Sequence, residues 1–309
     1  MDKDTKIATR QSFGEALKEL GEKNEKIVVL DADLAGATKT NIFGKAFPDR
    51  FFDMGIAEQD MIGTAAGFAS CGKIPYAASF AAFATGRCYD QIRSSVCYPN
   101  ANVKVCGTHA GVTVGEDGAT HQMLEDLSLM RGLPNMTVIC PSDDTQTRWA
   151  VEEVSKFEGP VYLRLSRAAT PVIYDAGTKF EIGKMVQFGE GTKATVFATG
   201  AVVSESLKAQ EILAEEGIDI RVVDVHTIKP IDREMIIKCA KETDKLISIE
   251  DHSVIGGLGS AIAEVLADQC PKKLVRMGMK DSFGKSGKAM ELLEYFGLVS
   301  KNIVEEVKR

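Results

Sequence analysis

The stretch Thr108-His109-Ala110-Gly111-Val112-Thr113-Val114-Gly115-Glu116-Asp117-Gly118-Ala119-Thr120-His121-Gln122 concentrates chemistry. It holds two of the four histidines in this 309-residue chain, together with two carboxylates. A strand pattern ends at Cys106-Gly107 just before it, and a helix pattern is expected from about His121. Loops at the C-terminal ends of parallel strands are where α/β proteins bind ligands. Histidine titrates near neutrality, so a pair beside carboxylates in such a loop marks a candidate active site. Neither histidine has the i, i+4 spacing of a helical metal pair, which argues against zinc.

Other candidates are sparser. Residues 51–56 read as a strand end, and Ala57-Glu58-Gln59-Asp60-Met61 opens a helix rich in Gly and Ala. Glu58 either complements the positive end of that helix dipole or presents a carboxyl to a ligand at a sheet edge. Phe80 and Phe83 sit three apart among Ala and Thr. They are either core residues or a wall for a flat heteroaromatic ring. Arg164 and Arg167 leave a strand end, where guanidinium groups could take a phosphate or simply be solvated. Arg10 carries the same two readings. Ile255-Gly256-Gly257-Leu258-Gly259-Ser260 lacks the third glycine of a dinucleotide fingerprint, with Ile262 in its place. It reads as tight helix–sheet packing.

Short β-branched runs must position these loops. Strands are expected at 27–30, 103–106, 136–140, 161–165, 194–198, 220–225 and 246–249. Helices are expected at 11–20, 57–70, 84–95, 121–130, 143–155, 204–216, 233–241, 259–268 and 289–293. Such alternation builds a mainly parallel sheet covered by helices on both faces. A Pro- and Gly-containing stretch without a sustained period interrupts it. The chain therefore reads as α/β with two domains, 1–172 and 194–309, joined by a linker at 173–193, and a short strand pair is expected within about 168–193.

Composition narrows the function class. The chain is 44% hydrophobic and 26% charged, ordinary for a globular protein. Its net charge of −7 excludes a broad nucleic-acid footprint. Seven scattered cysteines without C-x-x-C fit reduced thiols and a cytoplasmic location. The charged N-terminus has no signal-like apolar segment, and no apolar run is long enough to span a membrane. Neither nucleic acid nor membrane is expected as a partner.

Taken in chain order, these segments resemble the transketolase family of thiamine-diphosphate enzymes, over essentially the whole chain. The resemblance rests on Ala8-Thr9-Arg10, Asp31-Ala32-Asp33-Leu34, Gly55-Ile56-Ala57-Glu58-Gln59, Phe80-x-x-Phe83, His109 with residues 115–122, Leu165-Ser166-Arg167, and residues 223–232. It implies a pyrimidine-binding domain followed by the family's C-terminal domain. It also implies thiamine diphosphate as cofactor and transfer of a two-carbon ketol unit from a ketose phosphate to an aldose phosphate. Glu58 matches the carboxylic acid that hydrogen-bonds the pyrimidine N1′ and promotes loss of the thiazolium C2 proton. That role implies a buried carboxyl, protonated for part of the cycle. Phe80 and Phe83 match the aromatic wall on the pyrimidine, and Asp33 and Leu34 match residues lining the same pocket. Asp117 matches a carboxylate that recognises a sugar hydroxyl. His109, Arg10 and Arg167 match substrate and phosphate contacts. His121 matches a histidine beside the reactive centre, and with Glu58 and His109 it completes the expected catalytic set.

The resemblance also implies a partner. The family's Gly-Asp-Gly and following Asn, which hold Mg²⁺ and the diphosphate, have no counterpart among these residues, so no metal ligand is expected here. A separate N-terminal transketolase subunit is expected to supply that half, within an α2β2 assembly. The C-terminal domain resembles one that mainly builds subunit interfaces, and His226 and His252 within it read as structural. Gly86 stands where the family has a third aromatic, with Tyr89 nearby. Ala37 stands where the family has a phosphate-contacting Ser, with Thr38 and Lys39 as possible substitutes. His109-Ala110-Gly111 leans toward the deoxyxylulose-phosphate synthases, which use pyruvate. A 2-oxo-acid dehydrogenase β-type subunit and a non-catalytic assembly subunit are the remaining alternatives.

Overall fold

The computed structural model describes residues 5–309. Ile27–Asp31 is buried at every position, as expected of a strand covered on both faces. Val28 and Leu30 enter one core, with Met61, Ile62, Ile92 and Val96. Ile27 and Val29 enter the opposite one, with Phe13, Leu17, Val151 and Val154. Helices Glu58–Ser70 and Thr9–Lys23 thus lie on opposite faces of one sheet, because strand side chains alternate.

Among the described residues this sheet has seven strands. Their order is Thr227–Lys229, Thr137–Ile139, Val161–Arg164, Lys104–Thr108, Ile74–Phe80, Ile27–Asp31 and Phe51–Asp53. All neighbours are parallel except the first pair. A second, five-stranded sheet runs Leu274–Met279, Lys245–Ser253, Ala194–Ala198, Arg221–Asp224 and Val186–Phe188. It too is parallel apart from its last strand. Helices flank both sheets, so the α/β class with two mainly parallel sheets is borne out.

Several elements depart from the sequence reading. Thr227–Lys229 comes from the second half of the chain but pairs antiparallel with Thr137–Ile139 in the first sheet. Val186–Phe188, within the stretch read as linker, pairs with Arg221–Asp224 in the second sheet. The strand pair expected within 168–193 does not form, since its two strands, Ala169–Pro171 and Val186–Phe188, pair with other elements. Lys6–Ala8 pairs with Ala169–Pro171. Residues 84–95 are not a plain helix but two π-helical turns, Ala82–Arg87 and Ile92–Cys97, around Tyr89–Gln91. The helix expected from His121 begins at Asp126. All seven cysteines are free and five are buried. No helix among the described residues is long and apolar enough to cross a membrane.

Candidate active site

Because the strands run parallel, the loops after Asp31, Asp53, Phe80, Thr108 and Arg164 emerge on one edge. Asp31 shapes the first of them. Its buried carboxylate accepts from the Leu34 amide at 2.7 Å, Thr38 Oγ1 at 2.6 Å and Thr40 Oγ1 at 2.8 Å. Burial raises this carboxyl above its usual range, although those donors pull the other way. Asp33 takes a left-handed turn, φ 61°, and its amide donates to Asp53 Oδ1 at 3.0 Å. The Gly55 amide donates to the same oxygen at 3.0 Å. Asp53 therefore ties the Asp33–Leu34 loop to the one that leads into Glu58. Thr38 is consumed by Asp31 and does not replace the missing Ser. Lys39 remains close enough to His109 to depress its pKa.

Glu58 is the first residue of its helix and is 3% exposed. Arg87 Nη1 donates to both carboxylate oxygens, at 2.8 and 2.7 Å. The Arg87 guanidinium carbon also stands 4.5 Å from the centre of the Phe83 ring. A planar nitrogen cation thus lies between a buried carboxylate and an aromatic face. This observation tests the pocket, since an aminopyrimidine has the same flat shape and nitrogen donors. Phe83 stacks with Phe80, centroids 6.0 Å apart. A side chain at Gly86 would meet only Met123 Cε, at 3.6 Å. The absent third aromatic therefore leaves open space, while Tyr89 packs on the core below.

His109 is buried, with its ring stacked 3.7 Å from that of Phe80. Arg10 Nη1 lies 3.2 Å from His109 Nε2. Arginine can only donate, so Nε2 accepts and the proton sits on Nδ1, 2.9 Å from Thr108 Oγ1. The Thr108 hydroxyl donates onward to the Ser79 carbonyl at 3.4 Å. Burial first, then the charges of Arg10, Arg167, His121 and Lys39, lower the His109 pKa to about 3. This histidine is neutral at physiological pH. His121 closes the aromatic cluster edge-on, 5.4 Å from Phe83 and 6.2 Å from Phe80. Its Nδ1 is 2.9 Å from Thr120 Oγ1.

The two strand-end arginines part company. Arg164 is buried and clamps Asp126 at 2.7 Å, so it does not reach the site. Arg167 turns outward to the Val114 carbonyl, Glu116 Oε2 at 3.2 Å and Asp117 Oδ2 at 3.8 Å. Arg10 also donates to the Ala37 carbonyl at 2.8 Å, and burial together with Arg167 lowers its pKa.

The structure gathers Glu58, Phe80, Phe83, His109, His121, Arg10, Asp117 and Arg167 on one edge, flanked by Asp33 and Leu34. Sequence reading assigned no role to Arg87, Asp53 or Asp31: Arg87 and Asp53 reach between separate loops, and Asp31 organises its own loop through Leu34, Thr38 and Thr40. His226 lies apart and buried, its ring 5.0 Å from that of Trp149, and burial lowers its pKa to about 4. A concavity of about 440 Å³ elsewhere, beside Arg148 and Trp149, is lined by charges already paired with one another. Among the described residues no three His, Cys, Asp or Glu side chains are grouped to hold a metal ion. The site thus fits the pyrimidine end of a cofactor and offers no such cluster for a metal.

Comparison with known proteins gives a consistent picture. A family model described as the transketolase pyrimidine-binding domain matches residues 5–172, and one described as the transketolase C-terminal domain matches residues 183–303. A Methanocaldococcus jannaschii protein provisionally named a transketolase C-terminal section is 52% identical over 307 residues, covering 97% of this chain and 96% of its own. The 6-deoxy-6-sulfo-D-fructose transketolase subunit SqwH of a Clostridium species is 44% identical over 295 residues, covering 96% and 92%. A solved structure described as a split-gene transketolase, inactive β4 tetramer, superposes with a TM-score of 0.91 at 50% identity, covering 98% and 97%. Rat transketolase, by contrast, matches 98% of this chain but only 49% of its own length.

Proposed function

We propose that this chain, which belongs to the transketolase family, is the pyrimidine- and sugar-binding half of a split transketolase. It acts with a separate N-terminal subunit that holds the diphosphate and Mg²⁺, within an α2β2 assembly in the cytoplasm. Residues 1–172 form the pyrimidine-binding domain, 173–193 the connection and 194–309 the C-terminal domain. The observation that carries this reading is the slot between Glu58 and Phe83, already filled by a flat, nitrogen-bearing group. The names of two relatives, a C-terminal section and a subunit, support the division of labour.

When bound, thiamine diphosphate supplies the electron sink for breaking the ketose C2–C3 bond. This chain's residues do the rest. Glu58 holds and returns a proton at the pyrimidine N1′, on a carboxyl shielded from water. Phe83 and Phe80 wall the ring, and Asp33 and Leu34 border it. Neutral His109 and the neighbouring His121 engage sugar hydroxyls, and His121 moves a proton near the reacting carbon. Asp117, 42% exposed in this chain, orients a sugar hydroxyl when substrate binds. Arg10 and Arg167 take the terminal anion of the sugar.

The test is ketol transfer from xylulose 5-phosphate to ribose 5-phosphate, with cofactor and Mg²⁺, by the chain alone and with a co-purified N-terminal subunit. Activity only in the mixture is expected. Release of CO₂ from pyruvate without ketol transfer would instead identify half of a deoxyxylulose-phosphate synthase. A parallel assay with 6-deoxy-6-sulfofructose tests a sulfosugar donor, which the likeness to SqwH favours.

A further inference from the structure

The loop that carries His109, Asp117 and His121 is fastened by the second half of the chain. Asp251, near the end of strand Lys245–Ser253, is 3% exposed. Its carboxylate accepts from the Val112 amide at 2.8 Å, the Thr113 amide at 3.3 Å and Thr113 Oγ1 at 3.0 Å. Its own carbonyl accepts from Arg164 Nη2 at 2.9 Å, and the same guanidinium grips Asp126. Gly111 is drawn against this carboxylate, since a Cβ there would stand 2.1 Å from Asp251 Oδ2. Farther along, Gln122 Nε2 donates to the Lys285 carbonyl at 2.8 Å, a second tie across the halves.

The backbone between the candidate residues needs such a hold. His109 has φ 56° and Gly111 has φ 79°, so two of three consecutive residues are left-handed. For a histidine that conformation persists only when the surroundings impose it. Three donors converging on one buried carboxylate fix the backbone at 112–113, with Gly111 packed against it. Among the described residues no other side chain accepts from the Val112 and Thr113 amides.

We propose that Asp251 is a positioning residue, which sets the reach of His109 and Asp117 into the substrate site by holding the backbone at 111–113. It touches neither the cofactor slot nor the cluster of His109, Arg10 and Arg167. The identity of the substrate rests on the transketolase reading, but the backbone contact does not. On this inference the second half of the chain acts on sugar binding through the 111–113 backbone, beyond building interfaces.

Two variants test it. Asp251→Asn keeps the size of the side chain but turns one acceptor into a donor facing Thr113. Alanine would enlarge a void of about 10 Å³ beside Thr113 and Arg164, so it is avoided. Thr113→Val removes only the hydroxyl contact. In D251N, hydrogen exchange at residues 110–116 should quicken at least tenfold while the rest of the chain stays protected. With the partner subunit present, KM for the ketose phosphate should rise about tenfold and the cofactor requirement should move less than twofold. T113V should shift both readouts about threefold in the same direction. Unchanged exchange at 110–116, or equal losses in sugar and cofactor parameters, would overturn the proposal. Were D251N not to fold, T113V decides by the same two measurements. Absence of ketol transfer in the unmodified pair would defeat the transketolase reading, and the exchange result would still decide on Asp251.

Discussion

Arg87 holds both carboxylate oxygens of Glu58 and lies over Phe83, in the slot proposed for the pyrimidine. The two groups cannot share that space. Arg87 is 46% exposed, so it has an open path away from the 3% exposed Glu58. Arg87→Ala should cost the free chain about 1–2 kcal/mol, because a buried carboxylate loses its partner but keeps the helix dipole. Thermal unfolding of the isolated chain measures that cost. The cofactor concentration for half-maximal activity should fall severalfold. A higher requirement would instead make Arg87 part of the loaded site.

Glu58→Gln keeps the shape and one hydrogen bond of Glu58 but cannot pass a proton. With the partner present, kcat should fall at least 100-fold, within the usual range for lost acid–base catalysis. Circular dichroism should show the fold intact. Undiminished ketol transfer would mean that Glu58 serves only its helix.

Acid should weaken this protein through its histidines. His109 and His226 have pKa values lowered to about 3 and 4, against 6.5 when unfolded. Below pH 6.5 the unfolded chain gains protons that the folded chain refuses. Stability therefore falls as pH drops through that window, at up to about 1.4 kcal/mol per pH unit for each histidine. His109→Asn should remove one proton's worth of that slope between pH 4.5 and 6, read from urea unfolding at several pH values. An unchanged slope would mean His109 is charged in the fold.

Arg167 pairs with Glu116 and Asp117 and is the residue proposed to take the sugar's terminal anion. Arg167→Ala should raise KM for xylulose 5-phosphate roughly tenfold, about 1.4 kcal/mol, and leave KM for unphosphorylated xylulose nearly unchanged. Comparison of the two donors checks the assignment. Equal effects on both would show that Arg167 supports the loop through the Val114 carbonyl.

Much of the site was legible because its residues follow strand ends within a few positions. Asp33, Phe83, His109 and Arg167 needed only the strand pattern and parallel order to share an edge. Arg87 was hidden, since one arginine in a helical run carries no sign of where its guanidinium reaches. Asp251 lies 139 residues beyond Val112, and no local pattern predicts that pairing. The π-helical turns escaped for a related reason. Buried Ala84, Cys88, Ile92 and Val96 recur every four residues, which an ordinary helix period resembles but does not keep on one face. The segment after His121 looked helical, yet Gln122 spends its amide on the carbonyls of Val112, Gly115 and Lys285 and delays the helix.

The strand Thr227–Lys229 gives the molecule a timetable. Thr137–Ile139 stands at the rim of the first sheet and gains its outer neighbour only from a segment about ninety residues later. On the ribosome, the first sheet cannot be completed as it emerges. It waits, one rim bare, until residue 229 has cleared the exit tunnel. A chain cut in the 173–193 stretch would leave that rim permanently bare, and its first half would be prone to stick to copies of itself.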